Sequence, residues 1–139
     1  METPKLTQGT TAWFEMVGLL MTQAATDAAL PSSLNVSLVE RYTDGAEVPD
    51  GRVQGIRFDV VAGAPSYRIG ADREETADIV VEITAAAARR LNSLPAADPA
   101  YRVARQRYLE TGEMRVTGDP ERLGAWLEAV HDPIVARTR

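Results

Sequence analysis

Apolar and polar positions along this chain follow two periods, and the switches between them mark its elements. Residues 11–25 hold no proline, one glycine and one charge, and Trp13, Phe14, Met16, Val17, Leu19, Leu20 and Met21 cover nearly the whole circumference of a helix. A helix apolar all round is buried on most sides. Pro31-Ser32-Ser33 breaks the chain, and period 2 takes over. Over residues 35–42, Val36, Leu38, Glu40 and Tyr42 fall on one face and Ser37, Val39 and Arg41 on the other. Residues 43–51 carry Asp-Gly twice and a proline, the composition of an exposed loop. Residues 52–61 form the longest strand, with Ile56, Phe58 and Val60 opposite Arg57, Asp59 and Val61. Gly63-Ala64-Pro65 turns it into a short strand over 66–70 bearing Tyr67 and Ile69, so an antiparallel meander is expected.

Beyond a charged loop at 71–76, Ile79, Val81 and Ile83 define a fourth strand over 78–83, and Thr84 is placed to cap an alanine-rich helix over 85–94. Asp98-Pro99 opens a helix to Thr111 with Tyr101, Ala104 and Tyr108 on one face. Met114 and Val116 alternate with Glu113, Arg115 and Thr117 in a fifth strand over 112–118, bounded by Gly112 and Gly118. Asp119-Pro120 then starts a last helix over 120–131 that buries Leu123, Trp126, Leu127 and Val130. Strands grouped first and helices later indicate an α+β sandwich, one sheet with helices on one face. The expected organisation is a single domain over 1–139, with a loose N-terminal tail at 1–9 and a C-terminal tail at 132–139.

Composition narrows the function. The chain has 139 residues, 45% hydrophobic and 25% charged, a globular balance long enough to bury most of its apolar surface. A formal net charge of −5 with scattered basic residues excludes a nucleic-acid groove as partner. No cysteine is present, so disulfides, thiolate metal sites and a cysteine nucleophile are out. No secretory signal is visible and the longest apolar run, residues 16–21, is too short to span a bilayer, so a soluble cytoplasmic protein is expected.

Two stretches resemble a known family. Gly112-Glu113-Met114-Arg115-Val116-Thr117-Gly118-Asp119 is similar to the closing Gly-x-x-x-x-x-Gly-Asp segment of sterol carrier protein 2 (SCP2) domains, and Ala77-Asp78-Ile79-Val80-Val81-Glu82-Ile83-Thr84 to their Ala-Asp-Val-x-Ile-x-x-Ser/Thr. The similarity covers residues 34–130, and the helix at 11–25 is in the right place. The chain departs from the eukaryotic pattern at Asp119-Pro120-Glu121-Arg122 and ends in Arg137-Thr138-Arg139 rather than a peroxisomal Ser-Lys-Leu. The resemblance implies a small bacterial SCP2-like domain: a mainly antiparallel five-stranded sheet with helices over one face, enclosing an apolar tunnel. It also implies an apolar small-molecule ligand (lipid, acyl chain, sterol-like or polyketide-like), carried or bound without cofactor, while the net charge of −5 without a basic cluster leads to the expectation of at most transient membrane contact. Trp13, Val17, Leu20, Met21, Phe58, Met114 and Trp126 are then the candidate lining, set against the plainer reading that they are core.

Candidate chemistry is sparse. His131 is the only histidine, and a general-base role oriented by Asp132 competes with a structural role at a helix C-terminus, which the residue pattern favours. Asp72, Glu74 and Glu75 read as solvated charge rather than a metal site. No catalytic residue is assigned. The competing class is a small cofactor-free enzyme (cyclase, isomerase or hydrolase) using the same cavity, in which polar groups drawn from Asp59, Tyr67, Tyr101, Tyr108 and His131 would converge inside. The Arg57/Asp59 face of the long strand is expected in water. A third class is an interaction module whose core is filled.

Overall fold

The computed structural model describes residues 4–48 and 50–139. Helix α1 (Thr11–Asp27) is capped by the Thr10 hydroxyl accepting from the Trp13 amide, and it is followed by β1 (Val36–Tyr42), β2 (Val53–Val61), β3 (Ala64–Ala71) and β4 (Ile79–Ile83). Then come α2 (Ala85–Leu91), α3 (Pro99–Thr111), β5 (Met114–Thr117), a 3-10 turn (Pro120–Leu123), α4 (Trp126–Ala129) and α5 (His131–Ala136). The sheet order is β3-β2-β1-β4-β5. The meander β1-β2-β3 is antiparallel, but β4 lies parallel to β1, pairing Glu40 with Val81, so the sheet is mixed. The β2–β3 turn is Ala62-Gly63, both at positive φ, one residue earlier than expected, and this pair of conformations suits the right-handed twist of a tight hairpin.

The core lies between the sheet and the helices. Val36, Leu38 and Tyr42 of β1, Ile56, Phe58 and Val60 of β2, and Ile79 and Ile83 of β4 pack against α1 and the C-terminal helices. On α1 the buried set is Trp13, Phe14, Met16, Val17, Gly18, Met21 and Ala25, while Leu19 is 59% exposed, so the helix is not buried all round. Gly18 is where α1 crosses β3: a Cβ there would sit 2.5 Å from the ring of Tyr67.

Two terminal expectations change. Residues 4–9 are not loose: the Leu6 amide donates to the Arg137 carbonyl at 2.7 Å, the Arg139 amide to that of Leu6 at 2.9 Å, and the Trp13 indole to the Thr138 hydroxyl at 2.8 Å. Residues 1–3 of that expected tail lie outside the described residues. The C-terminal segment begins as helix α5 rather than tail. The expected helix over 120–131 is in fact the 3-10 turn followed by α4, divided by Gly124 at φ 114°. Leu123, Trp126 and Val130 are still buried, because the broken path keeps them on one side.

Alternation puts Arg41, Arg57, Asp59, Arg68 and Glu82 on the outer sheet face, around the buried Val39. Glu75 is not solvated there: its carboxylate accepts from Arg57 at 2.9 Å and from Arg68, and its carbonyl from Arg41 at 2.6 Å. Burial alone would raise this carboxyl. The Asp72 amide and the two guanidiniums outweigh burial and bring it down to about 2. Asp59 sits on the same outer face, ion-paired to Arg57 at 3.1 Å.

Candidate functional site

A cavity of about 470 Å³ lies between the sheet and the helices. Alternation along three strands puts its floor on one side of the sheet: Leu38 and Glu40 of β1, Val81 and Ile83 of β4, Met114 and Val116 of β5. Val17 and Met21 of α1 form one wall, Ala88 and Leu91 of α2 another, and Val130 and Ile134 close the C-terminal end. Exposed Arg102, Arg105, Gln106 and Glu128 also line it, so this side leads out to solvent.

Helix α3 is the least embedded wall. Asp98 caps it by accepting from the Ala100 amide at 2.9 Å, Pro99 fills its first turn, and Gly112 ends it in the left-handed conformation at φ 80°. None of its residues is fully buried, and Tyr101, Ala104 and Tyr108 are the half-buried face. Tyr101 stacks on His131 with ring centroids 4.3 Å apart, and His131 Nε2 lies 2.8 Å from the Leu94 carbonyl. His131 opens α5 instead of closing a helix, so the expected dipole contact at a helix C-terminus is not what holds it; the ring stack and the Leu94 carbonyl do.

Of the candidate lining residues, Val17, Met21 and Met114 stand at the cavity wall. Trp13, Phe58 and Trp126 are packed in the core, the last two with centroids 5.5 Å apart, and Leu20 is half-buried against that core. Of the polar candidates, Tyr101 and His131 reach the cavity; Asp59, Tyr67 and Tyr108 are not among its lining, and the Tyr67 hydroxyl instead donates to Glu15.

One residue went unassigned in the sequence. Glu40 lies on the inward face of the central strand β1, among Leu38, Ile56 and Val81, and lines the cavity. It has no hydrogen bond or ion pair among the described residues and keeps only partial accessibility. Burial lifts its carboxyl from the ordinary 4.5 to about 7. Burial, chiefly, and then the Glu40 charge also push the Tyr42 phenol up, and Tyr101 rises for the same first reason with Glu40 contributing. The signal was present in the alternation itself: an acid occupies the third place in the row Val36-Leu38-Glu40-Tyr42.

Among solved structures, the crystal structure of sterol carrier protein 2 matches with a TM-score of 0.51 at 18% identity, over 94% of this chain and 97% of that one. The fold is SCP2-like. Weaker matches are UbiJ-SCP2, a ubiquinone synthesis protein (TM-score 0.48, 14% identity, 96% of each chain), and palmitated SCP2L2 from Aedes aegypti (0.47, 15%, 89% of this chain and 95% of that one). No family model and no curated protein matches the sequence. Among the described residues, no helix of this SCP2-like chain is long and apolar enough to cross a membrane.

Proposed function

We propose that this chain binds an apolar small molecule in the cavity between sheet and helices and acts as a carrier or binding module. The observation that carries the reading is the cavity of about 470 Å³ with a floor of Leu38, Val81, Ile83, Met114 and Val116, a size and lining that suit an apolar guest. The SCP2-like fold supports it, since one solved neighbour is by name a sterol carrier. Affinity in such a site comes from buried carbon area, at about 25 cal/mol per Å². Met21 and Met114 add adaptability, because unbranched thioethers repack around guests of different shape. Contact with membranes is transient in this reading and serves ligand exchange. Native mass spectrometry of the purified protein tests it: a co-purified apolar mass, or uptake of an added one at one-to-one stoichiometry, is expected. A chain that remains empty under both conditions contradicts it.

A cofactor-free enzyme acting on an apolar metabolite is the second reading. The observation favouring it is that Glu40 and Tyr101, two ionisable groups, line the same cavity with His131 beside Tyr101. A carboxyl near neutrality suits proton transfer. Incubation of the small molecule extracted from Glu40→Gln with each protein separates the readings: its return unchanged from both supports a carrier, and its conversion to a new compound by the parent and not by the variant supports an enzyme.

A further inference from the structure

The sheet floor of the cavity is carbon except at one place, the carboxyl of Glu40. This group occupies the middle of the sheet, on a strand with neighbours on both sides, and is half-buried at the cavity floor. Its cross-strand partners are Ile56 and Val81, and no described residue donates a hydrogen bond to it or pairs with its charge.

We infer that the Glu40 carboxylate is the polar anchor of this cavity and that it selects an apolar ligand ending in a protonated amine. The inference rests on the reading of the cavity as a ligand site and adds the chemistry of the ligand's polar end. An unpaired carboxylate in a partly desolvated place leaves a charge poorly compensated, and a cation that arrives with its own apolar tail supplies the missing partner. Charge-assisted hydrogen bonds are about twice as strong as neutral ones, so an ammonium gains more there than a hydroxyl. A ligand carboxylate meets like charge and is accepted only if one of the two groups takes a proton.

The surroundings leave the Glu40 carboxylate without a cation of its own. In the cavity wall, α1 offers Val17 and Met21, α2 offers Ala88 and Leu91, and Asn92 follows α2, none of them charged. The charged groups are Arg102 and Arg105 of α3 and Glu128 of α4, all exposed, and the other titratable ones are Tyr101 of α3, His131 of α5 and Tyr42 on the same strand. None of these cations holds the carboxyl in its ionised form, since burial alone sets its position near 7. That position makes the anchor sensitive to pH: below it Glu40 is neutral and the advantage of an amine disappears.

Calorimetric titration of decylamine, decanol and decanoate into the parent and Glu40→Gln tests the inference. At about pH 8 the parent should bind decylamine roughly tenfold or more tightly than decanol, with decanoate weakest. Glu40→Gln should retain decanol and lose the preference for the amine. In the parent alone, decylamine affinity should fall as pH drops through about 7 while decanol affinity stays level, a readout that does not depend on the variant folding. Decylamine binding no tighter than decanol in the parent at about pH 8, or an amine preference kept in folded Glu40→Gln, overturns the anchor while leaving the cavity a ligand site. Failure of all three probes to bind the parent overturns the cavity reading, and the anchor falls with it.

Discussion

Glu40→Gln should make the protein more stable at alkaline pH and leave its stability in acid nearly unchanged. The folded state holds the Glu40 proton more tightly than the unfolded chain does, because burial lifts the carboxyl from 4.5 to about 7. The associated stability is therefore fully present below pH 4.5 and is lost as pH rises through about 7. At about 1.4 kcal/mol per tenfold change in proton affinity, that interval corresponds to ~3 kcal/mol, and partial access to the cavity brings the expectation to ~2–3 kcal/mol. Glutamine has the same shape and no charge, so it removes the pH-dependent penalty without opening a void. Other acids titrate in the parent, Glu75 among them with the opposite sign, but they are common to both proteins and cancel in the difference. Urea unfolding followed by the fluorescence of Trp13 and Trp126, at about pH 5 and about pH 8, gives the two differences. A variant gaining ~2–3 kcal/mol over the parent between those two conditions is the expected result. Parallel stability profiles would refute the reasoning, because they would mean that the carboxyl is as well solvated in the folded protein as in the unfolded one.

The Glu75 cluster behaves in reverse: Glu75→Gln should cost ~2–3 kcal/mol at neutral pH, and the parent should lose a similar increment as acid titration runs from 4.5 down to about 2, both measured by chemical denaturation. Gly18→Ala should destabilise by ~1–3 kcal/mol despite alanine's better helix propensity, since the new Cβ falls 2.5 Å from Tyr67, and a second change, Tyr67→Leu, should recover most of the loss in a thermal melt. Amides of α3 should exchange with deuterium faster than those of α1, because α3 has no fully buried residue and α1 has seven; equal protection would place α3 in the core instead of at the cavity rim.

Local chemistry made much of the fold legible. Asp98-Pro99 and Gly112 mark α3 because cap and left-handed stop act within a few residues, and Ile56, Phe58 and Val60 mark β2 because a half-buried strand must alternate. What escaped was set by distant partners. Nothing within β1 or β4 indicates that they lie side by side in parallel, since that pairing bridges two intervening strands. The pairing of residues 6 and 138 joins opposite ends of the chain, so each segment alone reads as tail. Leu123, Trp126, Leu127 and Val130 fit one helix by spacing, yet Gly124 breaks it at a positive φ that spacing does not register. At the site, Val17, Met21 and Met114 could be read from their apolar rows, whereas Trp13, Phe58 and Trp126 share that signal and fill the core. Periodicity reports the inward face without separating cavity from packed interior. Glu40 shows the converse: its face was legible, and its meaning depended on having no partner there, a property of the assembled fold.

The most direct test of the account is titration of an apolar fluorescent probe into the parent and into Met114→Trp. Met114 stands on the cavity floor, and an indole in its place takes up space a guest would need. Saturable binding to the parent at one site, lost in a Met114→Trp variant that still unfolds cooperatively, is the predicted result. Equal binding by the two folded proteins would contradict it and place the ligand, if there is one, elsewhere on the molecule.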